Sequence, residues 1–557
     1  MRFFSLLSAS LLLVCGLLRA LVEVLGSASE GDADYLIYQS QLMLNGKGFL
    51  PWLQEFDDKL PVTYLFFIPS ALFMSVRAYQ LMVIAGLLFS AALLVQICRE
   101  ILITVWSGYT KNVMAIAMLA GGLYLYIQTV LPSSITTINV LSVIFFIISL
   151  WLLVLRVKWQ KSWFVFPFVI AALIMAISIS LRPYMLLPGI LVTPWLFLRE
   201  QKSIKGSLSG LFMVSVVWAA LTAGWGFVIN ALPYVVTGNS KLFWAGILLL
   251  RQNIIPSNIP WYLQFQIKNI IELPNYAFLA FGSLLLLPLF FLLYGKLMAR
   301  LKEQIGSYRK ASLDVLFLSF IMPLGIQVLI MRKHYYPHYL QFFAPFAVLS
   351  FSMLLAYFHS YFPERGGYSF SWRRSGSFFT QAVLLAFLFV NLFLLRQDFL
   401  GIVVNLLKRP ADSRMAEYVT FKRDKSLQPV LSSGFLYPES MFFHWRFQQH
   451  RFGFPNSASS ELISSGSWAD LDMPKALNLP KTKSEYCTKI SDEKPPYIIV
   501  RSEWLKPCLD GKLSAMYKQL PQIDHRLIDL IQKENNLPLH RLSVYQLIQS
   551  RPEHRES

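Results

Sequence analysis

Thirteen acidic residues precede Leu395, and seven of them fall in one short stretch: Glu23, Glu30, Asp32, Asp34, Glu55, Asp57 and Asp58. Such a cluster can be a solvated loop, a cation pathway or the seat of a general base that takes a proton from an attacking hydroxyl or amine. Asp32 and Asp34 stand just before Tyr35–Leu44 (YLIYQSQLML), whose large apolar residues recur at helical spacing. A helix lying in a membrane interface would hold the two carboxylates at its start, fixed and only half wet. Three further places carry charge or aromatic residues suited to an anionic substrate. They are Asp58-Lys59, Arg182 in Leu181-Arg182-Pro183-Tyr184, and the run from Arg332 through Lys333, His334, Tyr335, Tyr336, Pro337 and His338 to Tyr339. Cations there could pair with such an anion, with arginine favoured where a bidentate contact forms.

Each has a plainer reading. Asp58 and Lys59 can be an exposed ion pair worth little. Arg182, Arg332 and Lys333 can snorkel to lipid headgroups, and His334, His338 and their tyrosines can form an interfacial aromatic belt. Asp32-Ala33-Asp34 also has the form of a metal and nucleotide-sugar motif, but no strand precedes it. No Cys/His spacing suits a zinc site, so no metal site is expected.

The elements that must position these residues are membrane helices. Of 557 residues 55% are apolar and 15% charged, and the mean hydropathy is +0.49, which excludes disordered, collagenous and coiled-coil classes. Runs long enough to cross about 30 Å of hydrocarbon fall near 3–22, 78–98, 112–131, 137–155, 163–181, 184–198, 207–231, 275–295, 312–331, 339–358 and 378–395. The first of these, with Arg19 after its apolar stretch and no small-x-small site, reads as a retained helix rather than a signal peptide. Charge gives the orientation. With the N-terminus inside, eleven spans place 17 of the 27 basic residues before Leu395 on the inner side. A twelfth candidate, Leu60 to Val76, has two prolines and 17 residues. If it crossed, this bias would reverse, so it is expected to be interfacial or re-entrant on the outer face. The basic excess belongs to loops against anionic lipid, and no nucleic-acid partner is expected.

Two large regions then lie outside: a first loop over residues 23–77 and a tail over 396–557. In the tail, short β-rich runs at 429–435, 496–502 and 544–549 alternate with helical stretches, the pattern of a soluble α/β domain. An outside location permits a Cys487–Cys508 disulfide; two free thiols are the alternative.

The order Asp-x-x-Tyr, an apolar helix ending Met-Leu-x-Gly, then Phe-Asp-Asp-Lys-x-Pro-x-x-Tyr resembles the first periplasmic loop of GT-C fold glycosyltransferases, the class of protein mannosyltransferases and of the aminoarabinose and galacturonosyl transferases of lipopolysaccharide. Asp32 matches that family's acid, so the resemblance implies Asp32 as the base, with Asp34 as deputy, and Arg182, Arg332 and Lys333 as partners of a departing phosphate. Ala33 stands where a second acid is common, with Asp34 as its substitute, and Lys59-Leu60-Pro61 replaces Lys-Pro-Pro. The Arg182-Pro183 turn and the Arg332–Tyr339 run, followed by Ala344-Pro345-Phe346, are similar to the family's later motifs, whereas Pro132-Ser133-Ser134 lacks the acid and arginine often seen there.

The resemblance implies a mainly α polytopic membrane protein of about eleven transmembrane helices with added interfacial helices. A GT-C-like domain would occupy residues 1–395 and a soluble α/β domain 396–557. It implies an inverting transferase of the bacterial inner membrane, N-terminus cytoplasmic and tail periplasmic. The donor would be a polyprenyl-phosphate-linked sugar drawn from the bilayer, and the acceptor a glycolipid such as lipid A or lipopolysaccharide, a polysaccharide or a protein. No cofactor is called for; a divalent cation is compatible but not required. Two rivals are a polysaccharide polymerase or ligase, which typically depends on arginine-rich outer loops, and a lipid or solute transporter, which should carry ionisable residues in mid-span and two similar halves.

Overall fold

Nine of the eleven apolar runs are helical in the structure, a computed structural model, and the other two, 275–295 and 378–395, lie outside the residues it describes. Those residues are 2–26, 36–37, 40, 43–44, 50–51, 59–73, 76–105, 113–130, 138–157, 159, 166–201, 208–252, 305–330, 337–361, 430–433, 483–494, 497–500, 506–519 and 543–548. Five helices among them are long and apolar enough to cross a bilayer: Ala78–Val105, Ile138–Leu155, Leu208–Asn230, Arg309–Ile330 and Tyr339–Ala356. The chain is an integral membrane protein, mostly helical.

In chain order the helices are α1 (Arg2–Gly26), α2 (Val62–Leu65), α3 (Ile68–Phe73), α4 (Val76–Val105), α5 (Val113–Val130), α6 (Ile138–Leu155), α7 (Phe166–Leu181), α8 (Leu186–Glu200), α9 (Leu208–Asn230), α10 (Leu232–Val236), α11 (Ser240–Gln252), α12 (Ile305–Leu316), α13 (Met322–Ile330), α14 (Ala344–Tyr361) and α15 (Lys483–Glu493). A wide turn at Phe317–Ile321 joins α12 to α13, and short 3₁₀ turns cover Pro183–Met185 and Pro337–Phe343. Leu60–Val76 does not form one helix. Pro61 and Pro69 each stand at the start of a short helix, where a missing N–H costs nothing. At 1.5 Å per residue the six residues of α3 reach about 9 Å, far short of a bilayer.

The chain forms two compact units. The first holds Met1–Ser27, Gln80–Ile229 and Ile254–Leu406; the second holds Ala28–Tyr79, Asn230–Asn253 and Leu407–Ser557.

In the first unit small residues let helices approach closely and polar ones join them, the packing available where lipid offers no hydrophobic drive. A Cβ on Gly122 of α5 would lie 3.0 Å from Leu12 Cγ of α1, and one on Gly121 would lie 2.7 Å from Val95 Cγ2 of α4. Ser142 of α6 and Ser178 of α7 donate to each other's backbone carbonyls at 2.8 and 2.7 Å, and Ser149 donates to Ala171 O at 2.8 Å. Trp218 of α9 donates to Gly189 O of α8 at 2.8 Å. Only 17% of the apolar window of α9 is buried, against 89% for Tyr339–Ala356, so α9 is peripheral in this unit.

In the second unit, the described residues Leu36, Ile37, Ser40, Met43 and Leu44 are helical, and all but Leu44 are buried. Ser40 Oγ donates to Leu36 O and Tyr64 O, both at 2.8 Å, tying this helix to α2. Val62 N–H donates to Asn230 Oδ1 at 3.1 Å, so a side chain distant in sequence supplies the cap that Pro61 cannot. The tail has a four-stranded mixed sheet of β1 (Val430–Ser433), β2 (Tyr497–Val500), β3 (Tyr517–Gln519) and β4 (Ser543–Leu547), in the order β1-β2-β4-β3. β1 runs parallel to β2 with Val430 opposite Tyr497; β2 and β3 each run antiparallel to β4, with Tyr497 opposite Gln546 and Tyr517 opposite Leu547. The three strands expected from sequence are present, and β3, three residues long, was not foreseen. A Cys487–Cys508 disulfide joins α15 to the turn at Cys508–Lys512.

Candidate functional site

Pro183 builds the turn that carries Arg182. A proline disfavours helical backbone in the residue before it, and Arg182 is extended, with φ −148° and ψ 117°, so α7 stops at Leu181. Arg182 N–H still donates to Ser178 O at 3.1 Å, and Met185 N–H donates to Arg182 O at 3.3 Å, closing the turn before α8 begins. Tyr184 is buried here. Its ring lies 4.8 Å from that of Tyr339 and 5.4 Å from that of Phe342. Two segments 155 residues apart, the Arg182 turn and the Pro337–Phe343 turn containing His338, therefore pack together at one end of the bundle. The end of α5 joins them, because Gln128 Nε2 donates to Gln341 O at 3.4 Å. α13 also packs on both turns, and a Cβ on its Gly325 would come within 2.9 Å of Leu187 Cβ at the start of α8.

Of the sequence candidates, Arg182 and the segment holding His338 are thus brought together in the first unit. Lys59 belongs to the second unit, half-buried immediately before Leu60-Pro61. Asp32, Asp34, Asp58, Arg332, Lys333 and His334 lie outside the described residues. Among the described residues no group of three or more His, Cys, Asp or Glu could hold a metal ion.

Sequence reasoning missed a charged constellation at the other end of α8. Arg199 Nε donates to Asp314 Oδ1 at 2.9 Å and Oδ2 at 3.0 Å, and Trp195 Nε1 donates to Oδ1 at 2.8 Å. Arg199 Nη1 reaches Glu200 at 3.1 Å, while Nη2 donates to Thr104 Oγ1 of α4 and, at 3.4 Å, to Ile101 O. Lys310 Nζ lies 3.2 Å from Glu200, and Arg309 Nη2 donates to Leu198 O at 3.0 Å. Arg199 is 4% exposed and Asp314 0%. Each nitrogen of the Arg199 guanidinium and each oxygen of the Asp314 carboxylate has a protein partner, so the arrangement clamps α4, α8 and α12. One signal could have found it: Asp314 is the lone acid inside the eleven apolar runs.

No protein-family model and no curated protein matches the chain. Among solved structures it is similar to the oligosaccharyltransferase of Archaeoglobus fulgidus in complex with zinc and sulfate, at 11% identity over 88% of this chain and 68% of that one, with a TM-score of 0.44. It is also similar to the archaeal oligosaccharyltransferase AglB from that organism in complex with an inhibitory peptide and a dolichol-phosphate, at 11% identity over 94% and 72%, TM-score 0.43. A third likeness is to ArnT from Cupriavidus metallidurans bound to undecaprenyl phosphate, at 11% identity over 97% and 98%, TM-score 0.45. With about one residue in nine identical, none of them carries a residue's role onto this chain.

Proposed function

We propose that this chain is an inverting glycosyltransferase of the GT-C type that moves a sugar from a polyprenyl-phosphate donor to an envelope acceptor on the periplasmic face of the bacterial inner membrane. The observation that carries the reading is the meeting of the Arg182 turn with the His338-bearing turn. An arginine on a turn that packs against the segment after Arg332 and Lys333 supports the reading, since an anionic leaving group calls for cations near it. The membrane setting fits a donor that arrives on a lipid, since nucleotide sugars are not available outside the cytoplasm.

In the transfer the acceptor oxygen or nitrogen attacks the anomeric carbon as the bond from that carbon to the phosphate oxygen breaks. The electron pair of that bond leaves with the polyprenyl phosphate. The acceptor's proton passes to the carboxylate of Asp32, with Asp34 as alternate, and Arg182, Arg332 and Lys333 stabilise the phosphate. Asp58, Lys59, His334 and His338 complete the substrate-binding set. The acceptor is a glycolipid such as lipid A, a polysaccharide or a protein.

Two facts support a periplasmic tail. The Cys487–Cys508 disulfide suits an oxidising compartment. The second unit also gathers residues 28–79, 230–253 and 407–557, parts of the three regions that the eleven-span scheme puts on one side. Cysteines introduced at Gln160 and Lys205 should label only in permeabilised cells, and one at Asp470 from outside. Background should be low, because Cys15 and Cys98 are buried and the other two cysteines are bonded. Labelling of position 160 in intact cells would refute the eleven-span scheme.

Mass spectrometry of envelope glycolipids and glycoproteins with and without the gene should reveal the modified acceptor. Asp32→Asn should then cut transfer about 100-fold or more, the usual weight of a general base, while lipid binding persists. Full transfer by both Asp32→Asn and Asp34→Asn would overturn the base assignment.

A further inference from the structure

We propose that the Arg182 end of the bundle contains a neutral subsite for the transferred sugar, in which Gln128 Oε1 accepts a hydrogen bond from a sugar hydroxyl or amino group. The proposal rests on the glycosyl-transfer reading above and adds the contact that would distinguish a loaded donor from its bare lipid phosphate.

Gln128 is 0% exposed. Its amide orientation is fixed by its neighbour: Gln341 O is a carbonyl that can only accept, so the Gln128 atom facing it is the NH₂. That leaves Oε1 turned elsewhere, buried, with no donor among the described residues. Buried amide oxygens are nearly always satisfied, so one that is not calls for a water or a ligand. Gln327 Oε1 on α13 is likewise buried without a donor among the described residues. The two glutamines stand on elements that pack against the same Pro337–Phe343 turn, on which Tyr184 of the Arg182 turn also rests.

The chemistry selects the ligand class. Carbonyl oxygens carry lone pairs only, so they repel a phosphate and attract a hydroxyl or ammonium donor. Arginine has the opposite preference. A cation and two spare acceptors around one turn therefore match a molecule with an anion at one end and a set of O–H or N–H donors beside it, as in a sugar phosphate ester. The same acceptors could hold water alone, and the experiment separates the two cases.

The full chain in detergent is titrated, by native mass spectrometry, with undecaprenyl phosphate, undecaprenyl phosphate-glucose and undecaprenyl phosphate-aminoarabinose. The wild type should bind at least one sugar-bearing lipid about tenfold tighter than bare undecaprenyl phosphate, the worth of one or two well-made hydrogen bonds. Gln128→Met and, separately, Gln327→Met should erase that preference and leave affinity for bare undecaprenyl phosphate unchanged. Gln327→Met serves as the second variant because it keeps the Gln128–Gln341 bond. Retention of the preference in both variants would assign the oxygens to water and overturn the subsite. Equal weakening toward all three lipids would make the glutamines structural, with the same consequence. A wild type that binds all three lipids alike overturns the subsite but leaves the phosphate reading standing, whereas failure to bind any of them overturns both.

Discussion

The two ends of α8 place an arginine in opposite circumstances. At Arg199 every polar atom is spoken for: a carboxylate, a second acid, a hydroxyl and a carbonyl close around the guanidinium within the protein. At Arg182 the helix has been broken by proline, Tyr184 of the same turn packs on Tyr339 and Phe342, and two amide oxygens on elements packed against the Pro337–Phe343 turn have no donor among the described residues. A closed network is what a clamp needs, since a buried charge without its partner is strongly unfavourable. Spare capacity for hydrogen bonding is what a binding site needs, since it is completed only when something binds. The richer cluster of charge is therefore the poorer candidate for chemistry.

The largest effect that could break this contrast is expected at the clamp. Arg199→Leu should destabilise the chain by about 3–5 kcal/mol, because Asp314 would keep a buried charge without its cation. Thermal unfolding in detergent reads this. The double variant Arg199→Leu/Asp314→Leu should recover much of the loss, and a double variant as unstable as the single would mean that the pair contributes through packing alone. Next in size is Arg182→Gln, expected to lower transfer about 100-fold with an unfolding midpoint close to wild type. A variant that unfolds early with transfer reduced only in proportion would make Arg182 a second clamp.

The smallest effect lies in the tail, where a closed polar contact exists without a helix bundle around it. Tyr545 OH donates to Asp510 Oδ1 at 2.8 Å. Burial, with the hydrogen bond and negative charge of Asp510 added, holds this phenol above its ordinary 10.0. Its folded form keeps the proton longer than the unfolded one, so stability is full below pH 10.0 and falls as pH rises from there toward the raised value. Tyr545→Phe should lose about 1 kcal/mol at neutral pH and show a shallower alkaline decline; an unchanged decline would assign it to Tyr517, which burial also raises.

The chain's pattern of residues settled nine helical runs and three of the four strands among the described residues, because periodicity and proline are local properties. The break at Leu60–Val76 follows from Pro61 and Pro69, the end of α7 from Pro183, and β1, β2 and β4 from short runs rich in branched residues. The sequence also singled out Arg182 and His338 as separate candidates. That their turns touch was decided by tertiary packing, since Tyr184 and Tyr339 meet only after the intervening helices have folded. The clamp was hidden for the same reason: Asp314 is a single acid in an apolar run, and its meaning depends on an arginine 115 residues away. The orphan oxygen of Gln128 was hidden more deeply still, because a glutamine reads the same whether its amide is satisfied or not, and only the count of its neighbours in space tells the two apart.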